Sequence, residues 1–162
     1  MTTNSPVIGA DQHETLLQGP VGAVLLSRNE HLSVLLHPLA PRALGSPVHT
    51  HAHEDEWSYV LEGEVDIEQD GQVMTAGTGE LVVKPRGVPH AFWNSTDAPA
   101  LILEMIAPGG FVEYFRGLAE IFAAPGPPDL AAVGALAASY DLDMDGESVP
   151  RLAAQHSLNL GP

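Results

Sequence analysis

The chain has no cysteine among its 162 residues, which excludes disulfide bonds and thiolate metal ligands. Lysine occurs once, at Lys84, against five arginines, a usage associated with GC-rich bacterial genomes. No run of about 18 apolar residues is present that would predict a membrane-spanning helix. The first residues contain neither the basic nor the apolar segment of a signal peptide, so we expect a cytoplasmic location.

Basic residues are scarce throughout. Six Lys and Arg stand against 21 Asp and Glu, which gives a formal net charge of −15. Such a surface repels the phosphate backbone of nucleic acids, so we expect no nucleic-acid partner. Without an apolar span we expect no membrane partner either, which leaves a small molecule as the expected partner. The hydrophobic content of 44% and the mean hydropathy of +0.05 are typical of one domain that buries a core.

Short apolar runs separated by turn residues fill the middle of the chain. Residues 1–20 are expected to form an N-terminal arm or edge strand, and residues 21–107 a β-barrel. The Asp70-Gly71 pair predicts a hairpin turn. The predicted strands are Val21–Leu26, Leu32–Pro38, Trp57–Leu61, Glu64–Gln69, Gln72–Thr75, Glu80–Lys84, His90–Asn94 and Ala100–Ile106.

The pattern becomes helical from Pro108, and residues 108–162 are interpreted as a helical extension of the same domain. Apolar residues at helical spacing predict one helix over Phe111–Ala123, and a second follows over Asp129–Tyr140 with Asp129 as its N-cap. A weaker helix is predicted around Ser148–His156, and Leu142 and Met144 are expected at a helix end.

Three histidines and one glutamate form the most informative pattern. Residues two apart in a strand point to the same face, so His49 and His51 can both face the barrel interior. Glu56 begins the next apolar run. His90 begins another predicted strand, directly after a tight turn formed by residues 85–89. Three imidazoles and a carboxylate suit one divalent Fe, Mn, Co, Ni, Zn or Cu ion.

This arrangement resembles the cupin superfamily. Its first motif is matched by His49, His51, Glu56 and Gly63, and its second by Gly79, Pro85, Gly87, His90 and Asn94. The resemblance implies an all-β fold, the cupin double-stranded β-helix or jelly-roll-like barrel, here with a C-terminal α-helical extension. It also implies that His49, His51, Glu56 and His90 are the metal ligands.

A second register of the first motif remains open, because Gly45 lies six positions before His51. In that register His51 and His53 would be the pair, although only two residues would then precede Glu56. We favour His49 and His51 and expect His53 at the rim of the pocket. Further substrate-binding residues are predicted on the strands: Ser58, which shares the face of Glu56, and Val60, Phe92 and Met105. Glu104 is expected to face solvent.

Residues 108–111, followed by a helix, are similar to single-domain cupins described as quercetinase-like. The resemblance therefore implies a dioxygenase that acts on an enolic aromatic or polyketide-like molecule, with Glu56 as a catalytic proton acceptor. A non-redox isomerase, cyclase or decarboxylase and a non-catalytic binding protein are the alternatives. The resemblance also implies a homodimer, in which residues 1–20 pair with the partner.

Overall fold

The computed structural model describes residues 7–160, which form eleven strands and three α-helices. The strands are β1 Glu14–Leu17, β2 Ala23–Arg28, β3 Ser33–Leu39, β4 Val48–His51, β5 Asp55–Glu62, β6 Glu64–Gln69, β7 Gln72–Gly77, β8 Leu81–Lys84, β9 His90–Trp93, β10 Ala100–Ala107 and β11 Leu142–Asp145. The α-helices are α1 Val112–Ala123, α2 Leu130–Ser139 and α3 Ser148–His156.

Two antiparallel sheets make up the barrel. One has six strands in the order β1-β2-β3-β10-β5-β8, and the other has five in the order β11-β4-β9-β6-β7. From β3 to β6 and again from β7 to β10, consecutive strands alternate between the sheets, so β4 and β5, which are neighbours in sequence, lie in different sheets. The prediction of an all-β barrel with a C-terminal helical extension is confirmed.

The β6–β7 hairpin shows how local sequence determines register. Asp70 and Gly71 have φ angles of 49° and 73°, the left-handed conformation that a tight two-residue hairpin turn requires. The turn sets Gln69 opposite Gln72, and pairing continues to Glu64 opposite Gly77. The predicted hairpin turn is therefore present.

The barrel interior has apolar layers on either side of a polar one. One apolar cluster lies between the two sheets and includes Val60, Ile67 and Ile102. The other lies between the six-stranded sheet and the C-terminal helices and includes Leu35 and Ile106. The polar layer consists of buried ionisable and hydroxyl side chains, namely His37, His49, His51, Glu56, Ser58, Lys84, His90 and Glu104.

The helices cover two surfaces of the barrel. Helix α1 buries Tyr114 and Leu118 in the same cluster as Leu35 and Ile106, so it closes one end of the barrel. Helix α3 contributes Leu152 to a cluster with Trp93 on the outer side of β9. The side chain of Asp129 accepts hydrogen bonds from two backbone amides of α2, as an N-cap does.

Strand β11 differs from the sequence-based expectation, which placed Leu142 and Met144 at a helix end. Leu142 lies opposite His51 and Met144 opposite His49, so these residues extend the five-stranded sheet at its edge. The pairing joins segments about 90 residues apart in the chain, and the local sequence alone does not indicate it. No helix within residues 7–160 is long and apolar enough to cross a membrane.

Candidate metal centre

Four buried side chains from both sheets meet inside the barrel. His49 and His51 lie on β4, His90 begins β9, and His49 is directly opposite His90 in the paired strands. The three-residue segment 52–54 carries the chain from β4 to β5 in the other sheet, where Glu56 faces the three imidazoles. The four side chains therefore come together only when the two sheets pack face to face.

The distances between these side chains suit a single ion. One ligand atom from each of the four lies within 4.8 Å of all the others. His90 Nε2 is 3.0 Å from Glu56 Oε2, and His51 Nε2 is 3.4 Å from Glu56 Oε1. Donors around a transition metal with bonds of about 2.1 Å lie up to about 4 Å apart, so a small inward movement completes such a shell.

An oxygen acceptor holds the Nδ1 atom of each imidazole. These contacts are His49 Nδ1 with the Pro47 carbonyl at 2.9 Å, His51 Nδ1 with the Glu54 carboxylate at 3.2 Å and His90 Nδ1 with the Val88 carbonyl at 3.0 Å. Donation from Nδ1 fixes the tautomer and directs the lone pair of Nε2 to the centre of the group, as in metal-ligating histidines.

Burial favours the protonation states that metal ligation needs. It lowers the pKa of His49 to about 3 and also lowers the pKa of His51, so both rings are neutral near pH 7. Burial acts against the charge on Glu56, but the neighbouring ammonium of Lys84 is the largest of the effects that outweigh it. The pKa of Glu56 therefore lies well below its ordinary value.

One atom shows directly that the group fits a metal. His51 Nε2 is buried and has no hydrogen-bond partner among the described residues, although the other nitrogen of the same ring has one. An unsatisfied buried nitrogen is costly, and a metal ion among the four side chains would satisfy it. The donor set of three imidazoles and a carboxylate is appropriate for such an ion.

Backbone contacts join the two motifs. Gly87 has a φ of 76°, a conformation that favours glycine, and its N–H donates to the His51 carbonyl at 2.8 Å. This bond ties the loop before His90 to the strand that carries His51. Asn94 is fully buried and its amide donates to the Ala40 and Ala98 carbonyls, so it stabilises the turn after β9.

The other predicted site residues divide between the interior and the surface. Ser58, Val60 and Phe92 are buried in the barrel. His53 is 62% exposed and contacts Asp141, so His49 and His51, and not His53, lie beside Glu56. Met105 alternates along β10 with the buried Glu104 and Ile106, so it lies on the outer face, contrary to the prediction.

Two residues of the interior were missed. Glu104 is 2% exposed, so the expectation that it faces solvent is wrong; burial raises its pKa to about 7. Lys84 Nζ lies 2.9 Å from Glu104 Oε1 and 3.0 Å from Glu56 Oε2. The sequence contains one sign of the buried lysine, because Lys84 ends an otherwise apolar strand. Leu81 and Val83 lie on the exposed face of β8, so alternation places Lys84 on the opposite, buried face.

Aromatic rings lie against the group on the side of the helices. The Phe111 ring packs edge-on against His51, with ring centroids 4.6 Å apart. Tyr114, Phe115 and Tyr140 surround Phe111 at centroid distances between 5.1 and 5.9 Å. The first turn of the helical extension therefore covers the candidate metal centre.

Comparisons with known proteins identify the fold family. Residues 35–106 match the Cupin_2 family, described as "Cupin domain". An RmlC-like cupin from Shewanella frigidimarina has a similar structure, with a TM-score of 0.58 and 22% identity over 68% of this chain and 96% of the other. KdgF from Halomonas sp. gives a TM-score of 0.57 and 18% identity over 65% and 94% of the two chains.

A sugar phosphate isomerase from a cupin superfamily, from Silicibacter pomeroyi, gives a TM-score of 0.54 and 26% identity over 63% of this chain and 75% of that one. No curated protein matches the chain. Residues 35–106 thus match a cupin domain model, and the structural likeness confirms the cupin double-stranded β-helix fold.

Proposed function

We propose that this protein is a metal-dependent enzyme of the cupin superfamily that acts on a small molecule through the substrate's oxygen atoms. The observation that carries the proposal is the buried group of His49, His51, Glu56 and His90, with each Nδ1 held and His51 Nε2 unsatisfied. This preorganisation resembles that of a ligand set, and an ordinary polar cluster would have no need of it.

The chain's own residues provide the rest of the chemistry. When bound, the ion would supply a Lewis acid that lowers the pKa of a substrate hydroxyl. The three histidines and Glu56 would hold it, and six-coordinate metals would keep positions free for substrate. Glu56 is ionised and lies at the centre of the group, so it is our candidate acceptor of a substrate proton. Its lowered pKa makes it a weak base, so this step would need the ion to acidify the substrate hydroxyl strongly.

Our first candidate reaction is a dioxygenase reaction of the quercetinase type on an enolic aromatic or polyketide-like substrate. The aromatic ring of Phe111 against His51 and the buried Phe92 ring support it, because apolar walls favour an aromatic ligand and exclude water from the reacting atoms.

The second candidate is a non-redox isomerase, cyclase or decarboxylase reaction. The buried Lys84 and Glu104 favour it, because they add an ionisable group beside Glu56 and a second one beside Lys84. The similarity to the sugar phosphate isomerase from Silicibacter pomeroyi, at 26% identity, points the same way.

The deciding experiment loads the purified protein separately with Fe²⁺, Mn²⁺, Ni²⁺ and Co²⁺ and offers flavonols, other enolic aromatics and sugar phosphates with and without dioxygen. Turnover that needs dioxygen supports the first candidate, and equal turnover in its absence supports the second. Tight binding of one compound without turnover would contradict both and indicate a binding protein. A His90→Ala variant that keeps full activity would contradict the metal-dependent mechanism itself.

A further inference from the structure

The single lysine of the chain is buried in the barrel interior. Lys84 is 2% exposed and lies directly opposite Glu56 on the paired strands β5 and β8. Its Nζ atom lies between two carboxylates, 3.0 Å from Glu56 Oε2 and 2.9 Å from Glu104 Oε1. An isolated buried ammonium would be strongly unfavourable, so this pairing decides where the side chain lies.

The second carboxylate is itself held in place. Glu104 lies opposite Ser58 on the paired strands β5 and β10, and Ser58 Oγ donates to Glu104 Oε2 at 2.5 Å. Ser58, Glu104 and Lys84 thus form a continuous row of contacts across three neighbouring strands. The row ends on Glu56, a member of the candidate ligand group.

The two oxygens of Glu56 have different neighbours. Oε2 is 3.0 Å from both Lys84 Nζ and His90 Nε2, whereas Oε1 is 3.4 Å from His51 Nε2. Because Lys84 is also paired with Glu104, its contact with Oε2 restrains rotation of the Glu56 carboxylate about its terminal bond. Partners that orient a ligating side chain typically contribute a factor of about 10 to 100 to metal affinity.

We propose that Lys84, anchored by Glu104 and Ser58, is a positioning residue that holds Glu56 in the orientation needed for metal binding. The inference rests on the proposed metal-dependent function. The alternative is that Lys84 only neutralises Glu104. In that case substituting Lys84 would weaken metal binding only by destabilising the folded protein.

The test compares three variants by their Co²⁺ affinity, measured in competition with a chromophoric chelator, and by the visible absorption spectrum of bound Co²⁺. Lys84→Met leaves Glu104 buried without a cation, so we expect a lower thermal midpoint as well as weaker binding. The double variant Lys84→Met/Glu104→Gln removes both charges and should recover most of the thermal midpoint. We still expect Co²⁺ binding to be about 10- to 100-fold weaker and its spectrum to be altered.

Glu104→Gln is the matched control: its amide oxygen still accepts a hydrogen bond from Lys84, so Lys84 stays against Glu56 and Co²⁺ should bind within severalfold of the wild-type affinity. Wild-type affinity and spectrum in the double variant would overturn the role of Lys84 and leave the metal-dependent function in place. A wild-type protein that binds no Co²⁺, Zn²⁺, Mn²⁺, Fe²⁺ or Ni²⁺ would overturn both proposals, so the two failures are distinguishable.

Discussion

The eight histidines of the chain differ in what surrounds them, and these surroundings make their roles testable one residue at a time. His49 is buried beside Glu56 and His90, whereas His53, four residues later, is 62% exposed and paired with Asp141. We expect His49→Ala to abolish metal retention and His53→Ala to preserve it. Elemental analysis of both variants after identical purification checks this, and the opposite result would assign the ligand pair to His51 and His53.

His37 provides a prediction for the pH dependence of stability. It is 4% exposed, and Nδ1 donates to the Gly22 carbonyl at 2.7 Å. Burial lowers its pKa from 6.5 to about 4 in the folded protein. The unfolded chain therefore binds the proton first as pH falls, and the stabilising contribution present above about pH 6.5 is lost between about pH 6.5 and 4. Over this pH range the contribution of His37 to the free energy of unfolding falls by about 3 kcal/mol.

Urea unfolding of the metal-free protein across this pH range checks the prediction. His37→Asn retains a donor for Gly22 and cannot titrate, so its free energy of unfolding should fall less steeply with pH than that of the wild type. His31→Asn is the control, because the His31 side chain is 82% exposed. Equal pH dependence in the wild type and His37→Asn would contradict the assignment.

At the scale of elements, the first turn of the helical extension contacts the candidate metal centre. Phe111 lies against His51, and three further aromatic rings surround Phe111. We expect Phe111→Ala to lower the free energy of unfolding by about 3 kcal/mol and to speed the release of bound metal to a chelator severalfold. Phe122→Ala, at a 49% exposed position of α1, is the matched control and should change neither quantity appreciably.

Most elements were predictable because their signals are local. Turn residues and alternating apolar positions bound β2, β3 and the strands from β5 to β10, and α1 and α3 have the expected apolar spacing. Strand β11 could not be predicted, because it has four residues and pairs with a strand far away in the chain. Its formation depends on tertiary contacts and not on its own pattern.

The ligand group and its buried neighbours were not equally predictable. The histidines and Glu56 have a spacing that can be recognised in the sequence without any knowledge of packing. Glu104 and Met105 lie in β10, a strand that is apolar on both faces, so alternation does not indicate which parity faces inward. Only the register with β5, which sets Glu104 opposite Ser58, resolves the orientation.

At the scale of the whole molecule, the outer face of the six-stranded sheet has an extended uncharged surface. Two rows of apolar side chains cross four neighbouring strands there, with Leu81 and Val83 about half exposed. The rows consist of Val34, Met105, Trp57 and Val83, and of Leu36, Leu103, Tyr59 and Leu81. An apolar patch of this extent is typical of an interface.

We propose that a second copy of the chain covers these two rows. Each copy carries a net charge of −15, so close approach is least unfavourable where no acidic side chain lies. We expect light scattering to give twice the chain mass of 17.1 kDa, and Tyr59→Asp/Val83→Asp to give the monomer mass. Leu130→Asp, at a position 78% exposed on α2, should remain a dimer. A wild-type monomer at micromolar concentration would contradict the proposal.

The roles proposed for the ligand group and for Lys84 all require one metal ion to bind between the two sheets. Anomalous diffraction from crystals of the metal-loaded protein, recorded on both sides of the metal absorption edge, tests it most directly. We expect one strong anomalous peak per chain at about 2.1 Å from the Nε2 atoms of His49, His51 and His90 and from a Glu56 oxygen. A peak elsewhere on the protein, or none among these four side chains in protein that carries stoichiometric metal, would contradict it.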